Sequence, residues 1–162
     1  MATKRETVVR KLEQSWTQLR SVIESVPDEE VTAPGVVEDW SIKDVMGHIA
    51  YWDERAASTL RAAIAGDFSK LTKGEGPNWV DEWNKRECLA RKDKTYKEVR
   101  GEWLTAHESA RKALEDAPET ALDMKFGQGK VLSYFEGDTY THYDEHAAQI
   151  KAWLREMETT EK

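Results

Sequence analysis

Val9, Leu12, Trp16, Leu19, Ile23 and Val26 follow one another at alternating intervals of three and four residues. Side chains at that spacing share one narrow stripe of an α-helix, and such a stripe has to be buried against other helices. The pattern recurs. A second stripe runs through Val45, His48 or Ile49, Trp52, Ala56, Leu60 and Ala63. A third takes in Val99, Trp103, Ala106 or His107, Ala110 and Leu114, and a fourth Phe135, Thr139, His142, His146, Ile150, Trp153 and Met157. Four long amphipathic helices with no strand pattern between them predict an all-α four-helix bundle. Composition agrees: 34% of residues are charged, yet the chain carries seven Trp, which suits helices with one wet face and a few large apolar anchors rather than disorder.

Local signals set the expected boundaries. The first helix spans about Arg5 to Val26 and is stopped by Pro27-Asp28-Glu29-Glu30. Val31 to Trp40, with Pro34 and Gly35, is a connection. Ser41 is placed to cap the second helix, with Asp44 at the third helical position, and Gly66 to end it. Asp67 to Asn78 reads as a loop, and Trp79 to Ala90 as a short helix with Trp79 and Trp83 on one face. Thr95-Tyr96-Lys97-Glu98 is a capping-box pattern that opens the third helix. Glu119 to Lys130 reads as a loop. Ser133-Tyr134-Phe135-Glu136, another capping box, is expected to open a last helix that runs unbroken to about Met157. The connections near 67–78 and 118–132 are long for a bundle, and long connections at one end often build the mouth of a site. Residues 1–162 read as one domain, with no repeat or linker.

Charge narrows the function classes. Lys and Arg number 24 against 31 Asp and Glu, a formal net charge of −7, which argues against a nucleic-acid partner and an anionic membrane surface. The longest stretch free of charged residues, Val45 to Trp52, is far too short to span a bilayer. The charged start of the chain shows no apolar leader, and a single cysteine, Cys88, forbids an intrachain disulfide. The expectation is a cytoplasmic protein that acts on a small molecule.

Three histidines stand where the stripes call for apolar residues. His142 and His146 lie one turn apart on the inward face of the last helix, and His48 is on the inward face of the second. A buried imidazole with an unsatisfied nitrogen costs about 1–3 kcal/mol, so three of them need partners. Spacing admits two explanations: a shared metal ion, for which an i, i+4 pair presents two nitrogens to one point, or histidines each satisfied within the core. His107, without a helical partner, is assigned to core or surface. Asp44, Trp52 and Arg55 lie near the His48 face, and Asp138 precedes His142 by four, where a carboxylate could orient a ligand imidazole. Trp52, Arg55, Trp79 and Trp83 are the candidate substrate contacts. The alternative for the Trp79 and Trp83 pair is that it pins the connection to the bundle. Trp16, Trp103 and Trp153 belong to the stripes and are assigned to the core, Cys88 is an incidental thiol, and the run Arg91 to Lys94 is a solvated helix end.

Trp40-Ser41-Ile42-Lys43-Asp44-Val45-Met46-Gly47-His48 resembles the second-helix signature of the DinB-like superfamily. His142-Tyr143-Asp144-Glu145-His146-Ala147-Ala148-Gln149-Ile150 resembles its last-helix motif, His-x-x-x-His-x-x-Gln-Ile. The Trp-rich sequence and the Pro-Gly segment before Trp40 are most similar to the branch named for ClbS and DfsB. The resemblance implies a DinB/YfiT-like four-helix bundle, often a homodimer, with a divalent metal on His48, His142 and His146. Zn, Ni, Co and Fe all accept imidazole, so the donors do not choose among them. Characterised relatives include transferases and isomerases that use a low-molecular-weight thiol, and the ClbS hydrolase. The implied activity is therefore attack on a small electrophile by a metal-activated thiol or water, of S-transferase or hydrolase type. The alternative is a ClbS-like resistance protein that binds a reactive metabolite without metal catalysis, since that branch does not uniformly keep the three histidines.

Overall fold

The structure is a computed structural model that describes residues 1–160. Helix α1, Lys4–Glu24, starts at a reciprocal capping box between Thr3 and Glu6, and a short 3-10 turn, Asp28–Glu30, follows it. Helix α2, Ile42–Ala65, starts at Ser41 and Asp44 as the sequence indicates, and stops at Gly66, whose φ of 72° is a left-handed cap. Helix α3 is Trp79–Ala90 and helix α4 is Tyr96–Asp116, capped by the Thr95 hydroxyl. The bundle is made of α1, α2, α4 and the last helix: α2 packs chiefly on α4, and α1 on the last helix. Its stripes meet in one core around Leu12, Leu19, Ile49, Leu60, Trp103, Leu114 and Ile150. In α1 the stripe is shifted slightly, with Val8 buried and Val9 half-buried. No described helix is long and apolar enough to cross a membrane.

Two segments depart from expectation. The stretch 119–130 is not all loop. It holds a single helical turn, α5, Glu119–Leu122, and a small hairpin of β1, Lys125–Phe126, and β2, Gly129–Lys130. The last helix is also broken in two. Helix α6, Val131–Asp138, begins at Lys130 with no side-chain cap, so Ser133 is an exposed residue within it rather than its start. Helix α7, Tyr140–Thr160, follows after one residue. That residue, Thr139, is fully buried with φ −117° and ψ −100°, and its hydroxyl and amide both donate to the Phe135 carbonyl, at 2.7 and 3.0 Å. A hydroxyl that bonds back onto the preceding turn competes with the helical ladder, and here the ladder breaks. The apolar stripe continues through the break, which is why periodicity did not reveal it.

The run Arg91 to Lys94 is also less solvated than its sequence implies. Arg91 is half-buried, with Nε 3.0 Å from Glu102, and Lys94 pairs with the same carboxylate. Lys43 donates to the backbone carbonyls of Lys92 and Lys94. These ties anchor α3 against α2 and α4.

Candidate metal centre

The capped start of α2 fixes His48 in its second turn, and the break at Thr139 puts His142 in the first turn of α7, with His146 one turn on. The three imidazoles meet. His142 Nε2 lies 2.8 Å from His48 Nε2 and 2.8 Å from His146 Nε2. The rings stand nearly edge to face, with centroids 4.4–5.0 Å apart. Burial pushes the His142 imidazole down to about 2 and that of His48 to about 3; His146 shifts the same way, also through burial. All three are therefore neutral near pH 7, the form that donates to a metal.

The proton arrangement tests whether a cation fits. His146 Nδ1 lies 2.7 Å from Gln149 Oε1, so Nδ1–H donates to the amide oxygen and Nε2 keeps its lone pair for the cluster. His142 Nε2 touches both neighbours but can carry only one proton, while its Nδ1 is buried with no hydrogen-bond partner. A divalent cation accepts all three Nε2 lone pairs together, and Gln149 already holds His146 in the required tautomer. The donor set fits a metal. Among the described residues no other His, Cys, Asp or Glu group is arranged in this way.

The cluster opens into a cavity of about 820 Å³, lined by Trp40, Trp52, Trp79, Asn84, Asp138 and Gln149 among others. Trp40 packs on His48 at 4.9 Å between centroids. Trp52 donates from Nε1 to Asn84 Oδ1 at 2.9 Å, which ties α2 to α3. Trp79 reaches the wall because residue 74 is glycine: a Cβ there would lie 2.0 Å from the indole. The other candidates are placed differently. Arg55 does not line the cavity. Its guanidinium donates to the Thr72 carbonyl and lies 5.2 Å over the Trp83 ring. Trp83 is buried behind Trp52 and Trp79, so it braces the wall rather than forming it. Asp44 does not orient His48: its carboxylate accepts from Ser41 N at 2.9 Å, and Cys88 Sγ is 3.7 Å away. Asp138 lines the cavity without bonding His142, and burial pushes its carboxyl up to about 7 against the pull of Arg55.

Sequence reasoning missed Asn84 as a site residue, because nothing in its local pattern says that α3 folds back over α2. Gln149 was legible only as part of the last-helix motif.

The sequence matches the mycothiol maleylpyruvate isomerase N-terminal domain over residues 12–148, most of the chain. Among solved structures, the chain is similar to an uncharacterised protein from Escherichia coli UTI89, with a TM-score of 0.83 at 11% identity over 98% of this chain and 96% of the other. It is similar to DfsB, described as a sibling lethal factor precursor, with a TM-score of 0.80 at 13% identity over 97% and 98%. It is also similar to the colibactin self-resistance protein ClbS in complex with a dsDNA, with a TM-score of 0.80 at 11% identity over 93% and 95%. At these identities the likeness shows a shared fold. No curated protein matches the sequence.

Proposed function

The chain belongs to the mycothiol maleylpyruvate isomerase N-terminal domain family, within the DinB-like superfamily, and on that premise we propose that it is a metal-dependent enzyme acting on a small electrophile. One observation carries the reading: three neutral Nε2 donors converge at the floor of an aromatic-walled cavity. His48, His142 and His146 would hold a divalent ion, and Gln149 would orient His146 through its Nδ1. Bound there, the ion supplies Lewis acidity, which favours the deprotonated, nucleophilic form of a thiol or a water. Trp40, Trp52 and Trp79 exclude water and grip the apolar part of the substrate. Asp138 presents a carboxyl at the cavity wall, pushed up to about 7 by burial.

Metal analysis of untagged protein tests this reading, with zinc and nickel titrations into chelator-treated protein. The expected result is one ion per chain in wild type and none in His146→Ala; equal metal content in the two would remove His146 from the site. Turnover of model epoxides and activated esters, with and without an added low-molecular-weight thiol, separates S-transfer from hydrolysis.

The ClbS likeness supports a second reading, sequestration of a reactive metabolite without turnover. Metal-independent binding with no product would favour it. ClbS is described with dsDNA, whereas this chain's formal charge of −7 argues against a phosphate-backbone partner. We also propose the cytoplasmic location that the composition suggests and the homodimer that the family resemblance implies; light scattering at several concentrations measures the latter.

A further inference from the structure

The cavity has a charge as well as a shape. Four of its lining residues are acidic, Glu38, Asp81, Asp138 and Glu145, against one cation, Lys85. Arg55 does not line the cavity: its guanidinium is held on Thr72 and Trp83 and acts on Asp138 as a nearby charge, without a hydrogen bond. Three indoles, Trp40, Trp52 and Trp79, make up much of the apolar wall. An acidic concavity with aromatic walls concentrates cations and repels anions, and indole faces attract an ammonium group directly. Asp138 is half-buried beside the histidines, and its carboxylate takes no hydrogen bond from any described residue. It is a free acceptor in a partly desolvated wall.

We propose that the substrate is an amine-bearing molecule with an apolar or aromatic body, whose ammonium group docks on Asp138 while the body lies against Trp52 and Trp79. The inference rests on reading the cavity as a small-molecule site. It disfavours carboxylate-bearing ligands, which face a net acidic wall, and it assigns charge selection to a residue outside the metal-binding set. Asp138 is a specificity residue here: it holds the amine and leaves the reacting end of the molecule to the histidine floor.

The test uses chelator-treated full-length protein at low salt. Three probes of one size are titrated while tryptophan fluorescence is followed: 2-phenylethylamine, 2-phenylethanol and 3-phenylpropionate. The amine should bind at least about tenfold more tightly than the other two, the scale of one charge-assisted hydrogen bond. The preference should shrink to within about threefold in Asp138→Asn and weaken in high salt, as a screened charge interaction does. Carboxylate binding as tight as that of the amine, an undiminished preference in the Asn variant, or no saturable binding of any probe would overturn the proposal. If wild type binds no metal but prefers the amine, only the metal reading fails. If it binds metal but shows no preference, only the present inference fails.

Discussion

Two histidine environments lie on neighbouring faces of α7. On one face, His142 and His146 meet His48. On the other, Tyr143 places its hydroxyl 3.0 Å from His107 Nδ1 and 2.8 Å from both carboxylate oxygens of the fully buried Asp53. The two look alike by burial: it pushes His107 down to about 3, as it does His48. They differ in satisfaction. The Asp53–Tyr143–His107 chain closes in either proton direction, from imidazole to phenol to carboxylate or from a protonated carboxyl back to the imidazole. Trp16 stacks on the His107 ring at 3.8 Å with an interplanar angle of 3°. The trio has too few protons and acceptors among its own atoms; a cavity does not tell the two apart, since His107 and Trp16 also line one, of about 680 Å³. Burial and a depressed pKa therefore do not mark a site by themselves. Convergent lone pairs that the protein leaves unanswered do.

The sharpest way to break the comparison is to remove one imidazole from each side. His142→Ala takes away the nitrogen that touches both others, and zinc binding by calorimetry should fall below detection. His107→Phe keeps the stack on Trp16 and should bind zinc like wild type. Equal zinc affinity in His142→Ala and wild type would place the ion elsewhere.

Tyr143→Phe addresses the closed chain. It strands a buried carboxyl and a buried imidazole nitrogen, at about 1–3 kcal/mol each if both go unpaired. The melting temperature should drop by several degrees with the zinc affinity unchanged. An unchanged melting temperature would mean that the buried chain contributes nothing to the fold.

This division explains what the sequence could and could not reveal. The bundle was legible because Leu12, Leu19, Ile49, Leu60 and Leu114 recur at helical spacing, and capping at Ser41 and Thr95 is a local event between residues three apart. His48, His142 and His146 stood out because each breaks an apolar stripe. His107 stands apart from them in the sequence only by lacking a helical partner, and its actual partners, Tyr143, Asp53 and Trp16, come from three other helices and were not legible. Arg55 was assigned to the site by helical phase alone, yet a long side chain on the right face is free to turn away, and it follows the Thr72 carbonyl and the Trp83 ring instead. The break at Thr139 left the apolar period intact, so only the backbone shows it.

A smaller effect sharpens the open side. Gln149→Ala removes the acceptor that fixes the His146 tautomer, and loss of such an outer partner typically costs about 10–100-fold in metal affinity. The melting temperature of chelator-treated protein should scarcely move, because Gln149 is only half-buried. A large loss of stability with no loss of affinity would recast Gln149 as a packing residue.

A last test reads the pH response of the closed side. His107 titrates near 6.5 when unfolded and near 3 when folded, because burial opposes its charged form. Between those values the unfolded chain holds the extra proton, so acid favours unfolding. The contribution of the neutral ring is fully present above about pH 6.5 and is lost as the pH falls towards 3. One such group adds up to about 1.4 kcal/mol per pH unit to the slope of stability in that window. His107→Phe removes that one proton and should flatten the curve between pH 6 and 4 by about that amount, measured by urea unfolding of chelator-treated protein. Parallel curves for variant and wild type would mean that the ring gains its proton without unfolding the protein. Glu13 would then be the group that stabilises the charge, since its Oε1 lies 3.9 Å from His107 Nε2, and the closed side would be open to solvent protons after all.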